Sequence, residues 1–378
     1  MTLYLSGYNY EPRMCVVAKD SEMLSVLIAQ NTAVMFINGN HVIFYPDKVT
    51  VPINNAEMEK VSCLANRDIV ELYSNGLIYR SFANEEPDST LFLGARCNSS
   101  CIMCPASDRE RKNGVSYSRE QIEQYIDFLP SDLDVLVVTG GEPTLHPHIF
   151  LPAMQKLKEK FTYSQVLLLT NGRALSNDGF LNEFLNVCPS NLAIAIPIHG
   201  DTAQLHDLTT RTPGSFDETG LAIRKLLARK VRVELRVVVT KINYKSLYGI
   251  SRLIAREFKE AMCVNFVGLE PRGNCAANSE RVYIDHKRAF LWMKRPITFL
   301  MERGIDVGIY NFPLCAVDRG FWCLCKRSIS EYKATYHEKC VDCIVMELCG
   351  GFFESTLAFI RPDVDPFVPE GVGNVKSL

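Results

Sequence analysis

Three cysteines stand within eight residues at Cys97-Asn98-Ser99-Ser100-Cys101-Ile102-Met103-Cys104, a C-x3-C-x2-C spacing. A cubic iron–sulfur cluster asks for one ligand per iron. Three closely spaced thiolates therefore hold three irons and leave the fourth open to a small chelating molecule. Two blander readings compete. A structural zinc site normally shows paired C-x2-C knuckles, which the x3 gap fits poorly, and three cysteines can simply be buried. Thirty-six residues beyond Cys104 begins Gly140-Gly141-Glu142-Pro143. Two glycines let the backbone approach a ligand closely, and a carboxylate beside them can accept from an amino group. Alone that string reads as a turn; as a companion of the cysteine loop it is specific.

These residues need strands and helices to hold them. From about residue 89, apolar runs alternate with stretches of helical period: STLFLGA, a helix near 119–129, DVLVVTG, a helix near 150–160, VLLLT, a helix near 178–187 and LAIAIPI. A helix near 217–229, RVELRVVVT, a helix near 246–258 and CVNFVGLE complete the series. Six strands and five helices, several strands apolar on both faces, predict parallel βα units. Six units fall short of a closed eight-fold barrel, leaving a partial barrel or an open doubly wound sheet. The cysteine loop follows the first strand and Gly140–Pro143 the second. Asn171 ends the third, His199 the fourth, Arg236 lies within the fifth, and Glu270-Pro271-Arg272 closes the sixth. Ligand groups gather at such strand ends. Against that, a lone His is more often satisfied locally, and Arg236 can pair with Glu234 or Glu270. His146 and His148 read as capping or surface residues, and Cys15, Cys63, Cys188 and Cys263 as small buried hydrophobes. Cys275 has no assignment.

Residues 1–86 read as a small β-rich domain of two hairpins, AVMFI-NGN-HVIFY and DIVELY-SNG-LIYRSF, ending in a linker at 84–88. The barrel core is expected over 87–275. Residues 276–378 lose its rhythm and carry six cysteines. Among them Cys340-x2-Cys343-x5-Cys349 plus the upstream Cys315 supplies four thiolates, enough for a second cubic cluster. A four-cysteine zinc site is the rival. Cys323 and Cys325 compete for the place of Cys315.

CNSSCIMC together with GGEP on a βα series resembles the radical S-adenosylmethionine (SAM) superfamily, with its partial (β/α)6 barrel. The resemblance implies that Cys97, Cys101 and Cys104 ligate a [4Fe–4S] cluster. Gly140, Gly141, Glu142 and Pro143 would line the methionine pocket, with Asn171, His199 and Arg236 as further cofactor contacts. The chemistry implied is reductive cleavage of SAM to a 5′-deoxyadenosyl radical that abstracts hydrogen from a substrate. The C-terminal module resembles the SPASM-type auxiliary clusters of peptide-modifying radical enzymes. More narrowly, GGEPTL, TNGRA, AIPIHGD, PGSFDET, GLEPRGN, IYNFPLC, RSISEYK and the C-x2-C-x5-CGGFF string are similar to the C-type maturase of the His-Xaa-Ser system. That group implies a precursor peptide as substrate, a partner maturase and a flavodoxin- or ferredoxin-like electron donor. The alternatives are a radical enzyme acting on a small molecule or protein residue, and a non-catalytic iron–sulfur scaffold or redox sensor.

Composition narrows the field. Hydrophobic residues make up 47% of 378 and charged residues 22%, so a full core is available. Forty-one basic and 43 acidic residues give a net charge of −2, which offers no general attraction to nucleic acid or an anionic membrane. No apolar run approaches the ~18–20 residues that span a bilayer. The opening residues lack a secretion signal, so 14 cysteines predict a reducing, cytoplasmic setting.

Overall fold

The computed structural model describes residues 2–329, 333–362 and 364–368, and it resolves the apolar runs into two main sheets. The first contains β1 (Thr2–Tyr4), β2 (Arg13–Ala18), β3 (Val34–Asn38), β4 (His41–Tyr45), β5 (Val49–Pro52), β6 (Ile69–Leu72) and β7 (Leu77–Phe82). Its order is β1-β7-β6-β2-β3-β4-β5. The two hairpins read from the sequence are β3–β4 and β6–β7, both antiparallel. The β2–β3 pair is parallel, joined through α1 (Ser21–Ala29). That helix starts where Asp20 accepts the Met23 N–H at 2.8 Å. A second helix, α2 (Asn55–Val61), opens on a capping box between Asn54 and Glu57. The domain is therefore less purely β than the turn signals suggest.

The second sheet is parallel throughout and follows chain order: β8 (Asp88–Phe92), β9 (Val135–Thr139), β10 (Gln165–Leu169), β11 (Leu192–Pro197), β12 (Arg232–Val238), β13 (Cys263–Val267), β14 (Val307–Tyr310) and β15 (Cys325–Lys326). All six expected strands are present. Two short ones extend the sheet to eight; at four and two residues they carry no periodic signal of their own. The intervening segments form α3 (Asp108–Asn113), α4 (Arg119–Phe128), α5 (Pro147–Lys160), α6 (Asp178–Val187), α7 (Ala203–Thr210), α8 (Ser215–Ala228), α9 (Leu247–Glu257), α10 (Gly273–Ala277), α11 (Ser279–Val282) and α12 (His286–Met301). Strand order equal to chain order, with a helix returning each time, curls the sheet into a half-barrel. Alternate residues such as Leu136, Val138, Leu168, Ile194, Leu235 and Phe266 face the helices in one continuous core. The intervening positions, Glu234 and Arg236 among them, face the concave side.

Helix α4 lies between the two sheets. Tyr125, 6% exposed, donates to Ser81 O at 3.1 Å, and its hydroxyl lies 3.1 Å from Ser89 Oγ. Met14, Ile69 and Phe82 of the first sheet enter the core of the second. The expected linker is an ordered turn: Asn84 N–H donates to Asp68 Oδ1 at 2.9 Å, and Asp88 already begins β8.

The cysteine-rich end adds a two-stranded ladder, β16 (Ala334–Thr335) with β17 (Phe352–Phe353), and α13 (Glu354–Phe359). Of the RSISEYK run, Ser330, Glu331 and Tyr332 lie outside the described residues. Among the described residues no helix is long and apolar enough to cross a membrane.

Candidate active site at the strand ends

The loop from β8 to α3 carries Cys97, Cys101 and Cys104, and five other segments fix its backbone. Ser100 and Ile102 donate their N–H groups to Thr210 O and Thr209 O at the end of α7, each at 3.0 Å. Cys275, in α10, donates to Cys104 O at 3.0 Å. Arg111, a buried arginine of α3, donates to Ser99 O at 3.0 Å and pairs with Asp108. From the end of β10, Asn171 Nδ2 reaches Asn98 Oδ1 at 2.7 Å, and Arg173 Nη1 reaches Asn98 O at 2.7 Å and Ser99 Oγ at 3.2 Å. The end of β9 supplies the fifth segment.

There, Gly141 N–H donates to Gly94 O and Glu142 N–H to Arg96 O, both at 2.8 Å. The glycines are required by this approach. A Cβ on Gly141 would stand 2.2 Å from Ala95 O and 2.4 Å from Arg96 O, and one on Gly140 2.6 Å from Gly94 O. Glu142 is 4% exposed. Its Oε1 accepts from Thr144 N–H (3.0 Å), Thr144 Oγ1 (2.7 Å) and Thr170 Oγ1 (2.6 Å), while Oε2 accepts from Asn171 N–H at 2.7 Å. The carboxylate thus ties β9 to β10, with nearly all its lone-pair sites taken by this chain. Pro143 begins the short turn beside it.

His199, at the end of β11, is 3% exposed and its ring lies tilted against that of His206 of α7, ring centroids 5.2 Å apart. Its backbone N–H donates to His206 Nδ1 at 3.3 Å, but its own Nδ1 is buried with no partner. The expected local satisfaction is therefore not found. Burial drives the His199 pKa well below the usual imidazole value, and His206 pushes the same way. Arg236 sits on the concave face of β12, its Nε 2.6 Å from Glu234 Oε1, which settles the choice between Glu234 and Glu270. The structure thus gathers Cys97, Cys101, Cys104, Gly140–Pro143 and Asn171 into one hydrogen-bonded unit. His199 joins it through α7, and Arg236 stands apart. Arg111 and the α7 carbonyls had no sequence signal; Arg173 did, in the TNGRA string. His146 holds the N-cap position of α5 with no side-chain cap bond. Cys63, expected to be buried, is exposed just past α2, its Sγ 3.6 Å from Glu59 O.

The three loop thiols suit an iron cluster on chemical grounds. Burial raises all three pKa values, and Cys101, flanked by Cys104 and Cys97, is pushed up to about 12, with Arg111 opposing. Three thiolates share so apolar a site only around a cationic core. In the C-terminal segment, Cys315, Cys340, Cys343 and Cys349 line one small enclosed cavity together with Leu314, Tyr336 and Phe352. Leu314 and Gly351 point their N–H groups at Cys349 Sγ, at 3.3 and 3.4 Å. Burial, then Cys349 and Cys340, raise Cys315 to about 11. Cys325 lies within the field of Cys349, and after burial that thiol is the main influence raising it to about 12; Cys323 is exposed. Cys275 is buried against the Cys101 side of the first loop. Among the described residues no three His, Cys, Asp or Glu side chains converge as a single metal ion would require.

Residues 91–254 match the profile of the radical SAM superfamily. Similar curated proteins include the AdoMet-dependent heme synthase of Methanosarcina barkeri, 25% identical over 201 residues, which are 53% of this chain and 55% of that protein. The antilisterial bacteriocin subtilosin biosynthesis protein AlbA of Bacillus subtilis is 24% identical over 238 residues, 61% of this chain and 52% of that one. The chain spans about half the length of both relatives. Among solved structures, Streptococcus suis SuiB bound to its precursor peptide SuiA has a TM-score of 0.47 at 12% identity, covering 61% of this chain and 49% of that one.

Proposed function

Residues 91–254 form a radical SAM domain, and from that premise we propose that the chain is a radical SAM enzyme that modifies a ribosomally made precursor peptide, acting on a side chain to crosslink or oxidise it. When bound, a [4Fe–4S] cluster with SAM supplies one electron to the sulfonium, releasing methionine and a 5′-deoxyadenosyl radical that takes a hydrogen atom from the substrate. This chain's residues do the positioning. Cys97, Cys101 and Cys104 would hold three irons. Gly140, Gly141 and Glu142 lock the second strand end against the loop, Asn171 and Arg173 lock the third, and the unpartnered Nδ1 of His199 offers a buried polar contact. Arg236 is held for the concave side by Glu234.

The observation that carries this reading is the cysteine loop itself, three thiols on a backbone pinned by the ends of β9 and β10, by α3, α7 and α10. The four-cysteine cavity supports a second, auxiliary cluster formed by Cys315, Cys340, Cys343 and Cys349. The peptide substrate is supported by AlbA, named for bacteriocin biosynthesis, and by the similarity to the C-type His-Xaa-Ser maturases. A partner maturase and a cytoplasmic setting belong to the same reading.

The test is iron content after anaerobic reconstitution, with SAM cleavage under dithionite on the same sample. About eight irons in the wild type and about four in a Cys97→Ala, Cys101→Ala, Cys104→Ala variant, with cleavage lost, is the expected result. Bound iron with no cleavage, even with candidate peptides present, would replace the enzyme with a redox scaffold.

A further inference from the structure

Helices α9 and α12 pack side by side on the convex face of the half-barrel. Residues 241–257 and 285–303 together hold nine lysines and arginines and three acids, Glu257, Asp285 and Glu302, in a chain whose net charge is −2. Between the helices lies an open groove of about 430 Å³ bordered by Arg252, Arg256 and Arg303, with Asp201 as its one carboxylate. Arg252, Arg288, Arg295 and Arg303 are exposed and form no ion pair among the described residues. Three of them lie over aromatic rings instead: Arg288 over Tyr244 (5.4 Å), Arg295 over Tyr248 (4.0 Å) and Arg303 over Phe299 (3.6 Å). Trp292, 44% exposed, meets Tyr244 edge-on at 5.1 Å, and Leu291 beside it is 64% exposed.

Unpaired cations left on a surface that has acids to spare cost self-repulsion, which intramolecular pairing would have relieved. Arginine stacked on tyrosine, next to an exposed tryptophan, is also the composition of energetic centres in protein interfaces. A second copy of this chain is a poor occupant, because a two-fold contact would set the same cations against each other. A substrate that must meet the cysteine loop enters at the strand ends, not over the helices. The face does have a short link to that loop. Ile242, two residues before Tyr244, packs in the cluster that contains Cys101, and Asn243 Nδ2 donates to His199 O at 3.2 Å.

We infer that the α9–α12 face is the docking surface for an acidic one-electron donor protein, with Arg252, Arg288, Arg295 and Arg303 pairing with its carboxylates. This rests on the proposed function, since only an enzyme that must be reduced needs such a partner. In the step served, the donor would give up one electron, and the oxidised [4Fe–4S] cluster that Cys97, Cys101 and Cys104 would hold would take it. Docking beside Tyr244 and Trp292 brings the donor against the segment that contacts Cys101.

The test uses a reduced acidic bacterial flavodoxin as the probe. An Arg252→Glu, Arg303→Glu variant should bind flavodoxin at least ~10-fold more weakly than wild type by calorimetry at low salt, and 0.5 M salt should erase the difference. Flavodoxin-driven SAM cleavage should fall by the same factor while dithionite-driven cleavage stays at the wild-type rate. An Arg252→Gln, Arg303→Gln variant should lie between. Unchanged flavodoxin affinity in both variants, or tight binding of duplex nucleic acid to this face with flavodoxin unaffected, overturns the inference. Wild type that binds flavodoxin through these arginines but cleaves no SAM with dithionite would instead overturn the proposed function and leave the docking surface standing.

Discussion

Asn171 Nδ2 donates to Asn98 Oδ1 at 2.7 Å across the gap between β10 and the cysteine loop, while the Asn171 backbone N–H donates to Glu142 Oε2 at the same distance. One residue thereby connects three strand ends: its own, that of β9 and that of β8. Its neighbour Arg173 adds two bonds to the same stretch of loop and is itself held by Glu218 at 2.5 Å.

Asn171→Ala and Arg173→Ala should therefore loosen the loop without unfolding the sheet. Each lost neutral bond is worth about 1 kcal/mol and each bond to a charged donor about 2 kcal/mol. Misplacement of the loop costs more in catalysis than in stability. SAM cleavage should fall roughly 10- to 100-fold, with circular dichroism unchanged and fewer irons retained per chain. Full cleavage in the double variant would show that the loop needs no support from β10.

Gly141→Ala places a methyl group within reach of two backbone carbonyls that cannot swing aside. Destabilisation of about 3 kcal/mol is expected, at the severe end of overpacking. Gly320→Ala, where a Cβ meets nothing within 4 Å, is the control and should stay within about 0.5 kcal/mol. Urea midpoints of the two variants decide the point.

Acid should destabilise the fold through two buried histidines. Burial lowers His206 and His286 from 6.5 to about 4. Between those values the unfolded chain binds protons that the folded chain refuses, so stability is full above about pH 6.5 and declines as pH falls toward 4. Each histidine contributes on the order of 3 kcal/mol to that decline. His286 sits edge-on to Phe312 and Phe352, so His286→Phe should flatten the slope of urea midpoint against pH between 7 and 5. An unchanged slope would show that this histidine titrates normally.

The C-terminal cavity predicts an order among its cysteines. Cys315→Ser, Cys340→Ser or Cys349→Ser should each lose about four irons of eight after reconstitution, whereas Cys323→Ser, at an exposed position, should lose none. Elemental analysis showing about one zinc and four irons in the wild type would make the cavity a zinc site.

The strand-and-helix rhythm of residues 88–267 was legible because each strand shows its apolar residues at fixed period and each helix its own stripe. The cysteine loop was legible as a candidate cluster site from its spacing together with Gly140–Pro143 at the next strand end. What lay hidden depends on tertiary contact. Arg111 is buried only because Ser99 O turns toward α3, and the carbonyls of Thr209 and Thr210 face the loop only because α7 ends there. β15 is two residues long and pairs with β14 through position, not pattern. The sequence allowed His199 to be a cofactor contact or a locally satisfied residue; its neighbour His206 accepts from the His199 backbone and leaves the ring Nδ1 bare.

Helix α4 has one face on each sheet, with Tyr125 bonded to Ser81 and packed in the barrel core. Neither sheet can swing without tearing that shared layer open. The amino-terminal sheet is therefore fixed against the barrel, and the span from its free edge to the cysteine loop is set by the packing of α4.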